Sequence, residues 1–414
     1  FESCISLDTV SISKSLTEIG ANAFNCTATT FISNGATINQ QIGSGAFSNL
    51  KSSCKVQYVP VNTNFYNLIK GTTSIIETLN SNGYIEIKSA QEWFDKIIIK
   101  AENNTPIIGR YQIANNFNFS GNFTYKDEHR YKDKYQFHDT KIKYLDYFPD
   151  YIKEIRNDLG SKGDTYGMDQ YKIVFIGTLD GDGYTISNVK YGLFDSNYGI
   201  IKNLKIKCAS ASENPYNFRG SNTSSTVTRS IGIDYTGSVT RKNYGIINSI
   251  EVNGELYGSP YAYKGDQKRY DKKIPAGGIT GFNKGLINKC QVNATLQSLN
   301  FAGIAYINNG TIYGCSTEGK VIGYGNIWNT NSSNSHEFIS NIAGIAFQND
   351  GTVEQCYGAM SLCGYANNSI EANDDSDRHV YPNVKAAGMV YTNTGIVKNC
   401  STGGFLTLLN ESGI

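Results

Sequence analysis

The densest set of side chains able to do chemistry in this chain of 414 residues is the run Asn-Asp-Asp-Ser-Asp-Arg-His at 373–379. Asp374, Asp375 and Asp377 have the acidic density of a calcium loop, but the Gly and the distal Glu of an EF-hand are missing. The set therefore reads either as a calcium site or as a solvated charged loop, and calcium is the one cofactor it suggests. A second acidic stretch, Leu179-Asp-Gly-Asp-Gly183, looks like a metal or phosphate motif but reads better as a hairpin-type turn between strands. His336-Glu-Phe-Ile-Ser340 puts Ser where a zinc-binding HExxH helix needs its second His, and the chain has four His in all. Nine Cys occur without paired CxxC spacing, so no zinc framework is indicated.

Aromatic side chains form a second kind of candidate. Tyr257, Tyr261, Tyr263 and Tyr270 stand among Lys and Arg; Tyr324 and Trp328 precede His336; Tyr365 and Tyr381 bracket the acidic run. Exposed aromatics beside polar groups suit sugar stacking or protein recognition. The same rings would equally serve to cover edges and anchor their own loops. Residues 124–170, dense in Tyr, Lys and Asp, make the longest such stretch, and a short amphipathic helix is expected after Pro149.

The elements that must hold these residues are repeats. The frame G-[ILM]-x-x-x-N-x-G-x-[IV]-x-x-C opens at Gly278, Gly303, Gly344 and Gly388, with the second Gly at 285, 310, 351 and 395. Gly192 and Gly199 give a fifth unit, and Gly245 a sixth whose first half is interrupted and whose opening Gly is taken as Gly232. A fixed internal period signals a solenoid and outranks local motifs. Asn197, Asn243, Asn283, Asn308, Asn349 and Asn393 each stand two residues before the second Gly, and both types tolerate left-handed backbone, so N-x-G reads as a turn between short strands. One unit cannot bury its inner face, but stacked coils can. The shortest spacing, Gly278 to Gly303, is 25 residues, the length of one three-stranded coil. Stacking then gives an Asn ladder with strands about 4.8 Å apart. It also gives a column of Leu204, Ile250, Cys290, Cys315, Cys356 and Cys400, read as reduced core-filling thiols.

These units resemble the GLUG-type repeats of bacterial surface proteins, also found beside the protease domain of IgA-cleaving enzymes. "IEIKSAQEWFDKI" is similar to the helical cap that opens such domains, and "YQIANNFNFSG" and "FIGTLDGDGYTISNVKYGLF" to their first strands. The resemblance spans roughly residues 84–414. It implies an all-β, right-handed parallel β-helix on a secreted or cell-surface protein, and no catalytic residues. The opening "FESCISLDTVSISKSLTEIGANAFNC" resembles instead the BspA-like leucine-rich repeat, with a weaker second unit from Ile42 to Leu50. The expected organisation is residues 1–62 as partial leucine-rich repeats, 63–83 as a linker, and 84–414 as the β-helix interrupted by 124–170 and by loops at about 207–230, 256–274, 324–340 and 364–385.

With 37 basic against 36 acidic residues, no global charge draws the chain to nucleic acid or an anionic membrane. No apolar run is long enough for a membrane span. Two function classes stand. The first is an adhesin-like, non-catalytic binding or stalk segment, recognising a host or cell-surface glycan or protein through loops on one flank. The second is a carbohydrate-active β-helix enzyme, such as a lyase, glycosidase or phage depolymerase, or an accessory domain of a large surface protease. Glycosidase chemistry needs two carboxylates about 5 to 9.5 Å apart, whereas Asp195, Glu251, Glu318 and Glu354 share no column of the repeat.

Overall fold

The computed structural model describes residues 9–12, 16, 18–24, 30–33, 41–47, 55–58, 75–98, 106–119, 122–125, 140–143, 150–152, 170–189, 192–208, 236–257, 275–298, 300–324, 326–328, 336–337, 340–366, 380–382 and 384–410. The chain forms two compact units, Phe1–Ile87 with Gly109–Ala114, and Lys88–Ile108 with Asn115–Ile414.

The first unit stacks short parallel strands. Thr9–Ile12, Thr30–Ser33, Lys55–Tyr58 and Ile75–Thr78 make one four-stranded sheet. Glu18–Ile19 pairs with Gln41–Ile42, so "IGANAF" lies on "IGSGAF", and the Phe24 and Phe47 rings stack at 5.4 Å. The fourth strand, Ile75–Thr78, falls inside the stretch 63–83 expected to be linker. Ile85–Ile87 and Arg110–Ile113 pair in parallel beside it in sequence. Asn80 organises the turn before them, its Oδ1 accepting from the backbone N–H groups of Asn82 and Tyr84.

Among its described residues the second unit is all-β apart from the helix Ala90–Trp93 and the wider turn Phe94–Ile98. Ser89 caps this helix by accepting from the Glu92 N–H. Trp93 is buried against Phe117, Phe119 and Phe194. From Phe194 onward the chain runs repeatedly through three parallel sheets in the same order. A first sheet holds Thr236–Gly237, Ala276–Gly277, Asn300–Ala302, Ser340–Ala343 and Val384–Ala387. A second runs from Val174–Phe175 and Phe194–Asn197 to Val390–Asn393, seven strands in sequence order. The third carries the long strands, among them Ile200–Cys208, Ile246–Tyr257, Ser316–Tyr324 and Tyr357–Ala366. One passage through the three sheets is a coil, and successive coils stack in parallel as in a solenoid.

Sequence periodicity becomes burial in columns. Ile201, Ile247, Ile287, Ile312 and Val353 are each 0% exposed and are register partners from strand to strand. Stacking one coil on the next buries each of these side chains, worth roughly 1.5–3 kcal/mol apiece.

Three local readings change. The interrupted unit opens at Ser238 and not at Gly232: Gly237 is the register partner of Gly277, which aligns Ser238 with Gly278, and the Ser238 hydroxyl donates to the Gly278 carbonyl. Leu179–Gly183 is no hairpin. Thr178–Asp180 and Thr185–Val189 both pair in parallel with Ile200–Cys208, so left-handed Asp182 and Gly183 make a bend between two segments of one strand direction. Of the helix expected after Pro149, Asp150–Ile152 is a strand paired antiparallel with Gln170–Lys172, where ladder bonds to a distant segment outweigh local helix propensity; the rest of that stretch, 153–160, lies outside the described residues.

The glycine of N-x-G also has a different cause from the one its type suggests. Gly199, Gly245, Gly285, Gly310, Gly351 and Gly395 are absent from the left-handed residues. A Cβ on any of them would instead strike the carbonyl oxygen of the glycine one strand earlier. The left-handed residues come just before the Leu/Ile/Cys column: Asn203, Ser249, Lys289, Gly314, Gln355 and Asn399. Left-handed backbone costs a non-glycine residue about 1–2 kcal/mol, and glycine returns part of that through its own lost entropy. Exposed Gln355 replaced by Gly, as the chain has at 314, is therefore expected to gain about 0.5 kcal/mol. A rise in denaturant midpoint for Q355G checks this, and an unchanged or lower midpoint contradicts it.

Candidate recognition surface on the coil array

Coil lengths show where material is added. The Asn residues of successive coils are 46, 40, 25, 41 and 44 residues apart. In the 25-residue coil the third sheet hands over directly, from Gln291–Ser298 to Asn300–Ala302. In the longer coils the extra residues all follow a third-sheet strand and precede a first-sheet strand. They are 209–235, 258–275, 325–339 and 367–383, so all leave the array at one junction.

Two of these insertions join. Asn326–Trp328 pairs antiparallel with His336–Glu337 of its own insertion and with Val380–Pro382 of the next. In register, Trp328 stands opposite His336 and Val380, and Ile327 opposite Glu337 and Tyr381. The structure thus brings Trp328, His336 and Tyr381 onto one three-stranded sheet. Just before it, Tyr324 and Tyr365 are register partners near the ends of adjacent long strands. Tyr257 ends its strand opposite Gln297. Tyr261, Tyr263 and Tyr270, and the acidic trio Asp374, Asp375 and Asp377, lie outside the described residues. Among the described residues no group of three or more His, Cys, Asp or Glu could hold a metal ion, and no helix is long and apolar enough to cross a membrane.

The array beneath the insertions is held by side-chain ladders. Asn197 Nδ2 donates to Asn243 Oδ1 at 2.8 Å, Asn243 to Asn283 at 2.8 Å, Asn283 to Asn308 at 2.7 Å, Asn308 to Asn349 at 2.6 Å, and Asn349 to Asn393 at 2.7 Å. Five of the six amides are 0% exposed. The Nδ2 of each of the first five can also donate to a backbone carbonyl of the following coil, such as Thr311 from Asn283 and Thr352 from Asn308. The Cys column lies at the other bend. Cys290, Cys315 and Cys356 are buried, Cys400 is half-buried, and all are free thiols. Each sulfur lies within hydrogen-bond reach of the carbonyl two residues earlier, on Asn288, Tyr313, Glu354 and Lys398. Burial pushes the Cys208 thiol up to about 12, and burial raises Cys315 well above its ordinary value. Raised in this way, the Cys208 and Cys315 thiols stay protonated and act as packing groups.

Several features were not among the aromatic and acidic candidates. Ile108, Ile176 and Tyr198 are exposed, and Tyr198 stacks on Tyr244 at 4.7 Å and 6°. Farther along, Tyr306, Phe347 and Tyr391 stack at 5.0 and 4.9 Å. Each stack joins rings from successive coils, so only knowledge of the register shows the stacks. Asp195 and Arg241 also meet, at 2.8 Å and almost fully buried.

Comparison with family models, with curated proteins and with solved structures finds no match for the chain.

Proposed function

We propose that this chain is the adhesin-like, non-catalytic segment of a secreted or cell-surface protein. Its repeats wind as a right-handed parallel β-helix of GLUG type, its first unit is a BspA-like leucine-rich array, and its insertions recognise a host or cell-surface glycan or protein. The observation that carries this reading is the shared junction of the insertions. A spacer would need nothing beyond the 25-residue coil, yet four coils add length at the same place, and two additions pair with each other. Ladders of this regularity make a rigid platform, and loops on rigid scaffolds are where binding concentrates. Aromatic residues at Trp328, Tyr324, Tyr365 and Tyr381 suit stacking on sugar rings or filling pockets of a protein partner.

The test is a glycan-array and extracellular-matrix screen on the intact chain. A hit is then measured with W328A and Y381A, and an anchoring aromatic is expected to cost about 10–30-fold in affinity with the β-sheet circular dichroism unchanged. No binding to any surface would leave a spacer role. Consumption of a polymer ligand during incubation would replace the reading with the enzymatic one.

A further inference from the structure

The ladders that hold the coils together cannot tell one coil from another. The Asn column is Asn in every coil and the Gly column is Gly in every coil. The first coil laid on the third in place of the second would still pair Asn with Asn and aliphatic with aliphatic. Leaving a coil out only lengthens a loop, and the entropic cost of closing a loop rises slowly with its length. Such a mispaired coil forfeits the burial of the one left out, so it is a hazard of folding and not a rival at equilibrium.

Among the described residues, one column that differs from coil to coil carries buried charge. Two residues before each ladder Asn stand Asp195, Arg241, Gly281, Tyr306, Phe347 and Tyr391 in turn. Arg241 Nη1 lies 2.8 Å from Asp195 Oδ1, with the two side chains only 4% and 7% exposed. Ser196 Oγ donates to the other carboxylate oxygen at 2.8 Å. On the far side of Arg241 the next coil has Gly281, which offers no counter-charge. Stacking the first coil on the third would set the Asp195 carboxylate against that glycine. A buried charge that loses its partner is strongly disfavoured, and buried polar pairs are best attested as devices that specify register.

We propose that the Asp195–Arg241 pair is a register lock, directing the first coil onto the second and suppressing coil-skipped intermediates during folding. Mispairing is read by cross-linking. Lys207, Asn253 and Asn293 are register partners on three successive strands. Neighbouring strands lie about 4.8 Å apart, within disulfide reach, whereas two strands apart is about 9.6 Å and out of reach. K207C/N253C therefore reports correct stacking, and K207C/N293C the skipped coil.

Each cysteine pair is refolded from guanidinium chloride with a brief diamide pulse, and the disulfides are mapped by mass spectrometry. With Asp195 and Arg241 in place, the 207–253 cross-link forms and 207–293 stays at the level of the protein without added cysteines. In D195L/R241M, 207–293 is expected to rise at least about ten-fold during refolding, as the repeats offer equivalent partners, and a slower refolding phase accompanies it. D195N/R241Q, which keeps polar groups but removes both charges, gives the same rise. Because the cross-link is scored in the refolding mixture, it reports even where a variant never reaches the native state. Background 207–293 in both variants overturns the proposal.

Discussion

Replacing Asn308 by Ala is expected to lower the unfolding free energy by about 3 kcal/mol, since each unsatisfied buried polar group costs about 1–3 kcal/mol. Asn308 lies in the middle of the ladder and is 0% exposed. It accepts from Asn283 at 2.7 Å and donates to Asn349 at 2.6 Å. Alanine leaves Asn283 Nδ2 with two longer carbonyl contacts, to Gly285 at 3.3 Å and Thr311 at 3.4 Å, and Asn349 Oδ1 without its ladder donor. Asn308→Asp is the sharper variant. A carboxylate can still accept from Asn283, but it turns an acceptor toward the Asn349 Oδ1 and buries a charge. Both effects raise the carboxyl's pKa in the folded state above the unfolded value of about 3.9. For an acid whose folded pKa is raised, the penalty is absent below the unfolded pKa and grows as pH rises through the folded one. N308D is therefore expected to lose more than N308A at pH 7 and to recover toward the parent on acidification. Guanidinium titrations at pH 4 and pH 7 check both points, and equal losses for the two variants at pH 7 would show that the ladder is not a directional hydrogen-bond chain.

Gly310→Ala is expected to cost about 4 kcal/mol or more, in the range that marks a structural clash. The new Cβ would fall on the carbonyl oxygen of Gly285. That oxygen accepts the Thr311 N–H at 2.9 Å, and on the other side the Gly310 carbonyl accepts from Thr352 at 2.8 Å. Neither neighbour is a flexible side-chain end, so the strand must move and break bonds to both adjacent coils. Gly183→Ala, where an added Cβ meets nothing within 4 Å but φ is +78°, is the control: it bears only the conformational cost, about 1–2 kcal/mol. Denaturant midpoints in that order distinguish close approach from backbone conformation as the reason for the glycine column. The reverse order would return the explanation to conformation.

The parts of this fold that could be read from sequence are those set by one residue type repeating in one place. Asn before x-Gly and a medium apolar residue at the Cys position recur because every coil meets the same neighbours above and below. What escaped reading depends on register between coils. Ser238 could not be recognised as an opening position, since Gly232 lies nearby and only the Gly237–Gly277 pairing separates them. Left-handed backbone was assigned to N-x-G from residue type, whereas it falls on Ser249, Lys289 and Gln355, types that give no such sign. The helix expected after Pro149 failed at Asp150–Ile152 because an amphipathic pattern says nothing about a strand partner some twenty residues away. At the recognition surface, the aromatic content of the insertions was legible, but the pairing of Asn326–Trp328 with Val380–Pro382 was not, because it joins insertions of different coils. Asp195 and Arg241 stand 46 residues apart; in sequence Asp195 is one of several scattered acids and nothing marks Arg241 as its partner, so the pair shows only when the strands that carry them are set side by side.

The central claim is that the coils carry the fold and the insertions carry the recognition. It is tested most directly by shortening the insertions 258–275 and 325–339 to the length of the 25-residue coil, whose third sheet passes straight to the first. The shortened protein is then compared with the parent for melting and for binding to the ligand found by screening. The account predicts an unchanged β-sheet spectrum, a melting temperature equal to or above that of the parent, and loss of binding. Binding that survives with the fold intact would contradict it and move recognition onto the coil faces themselves.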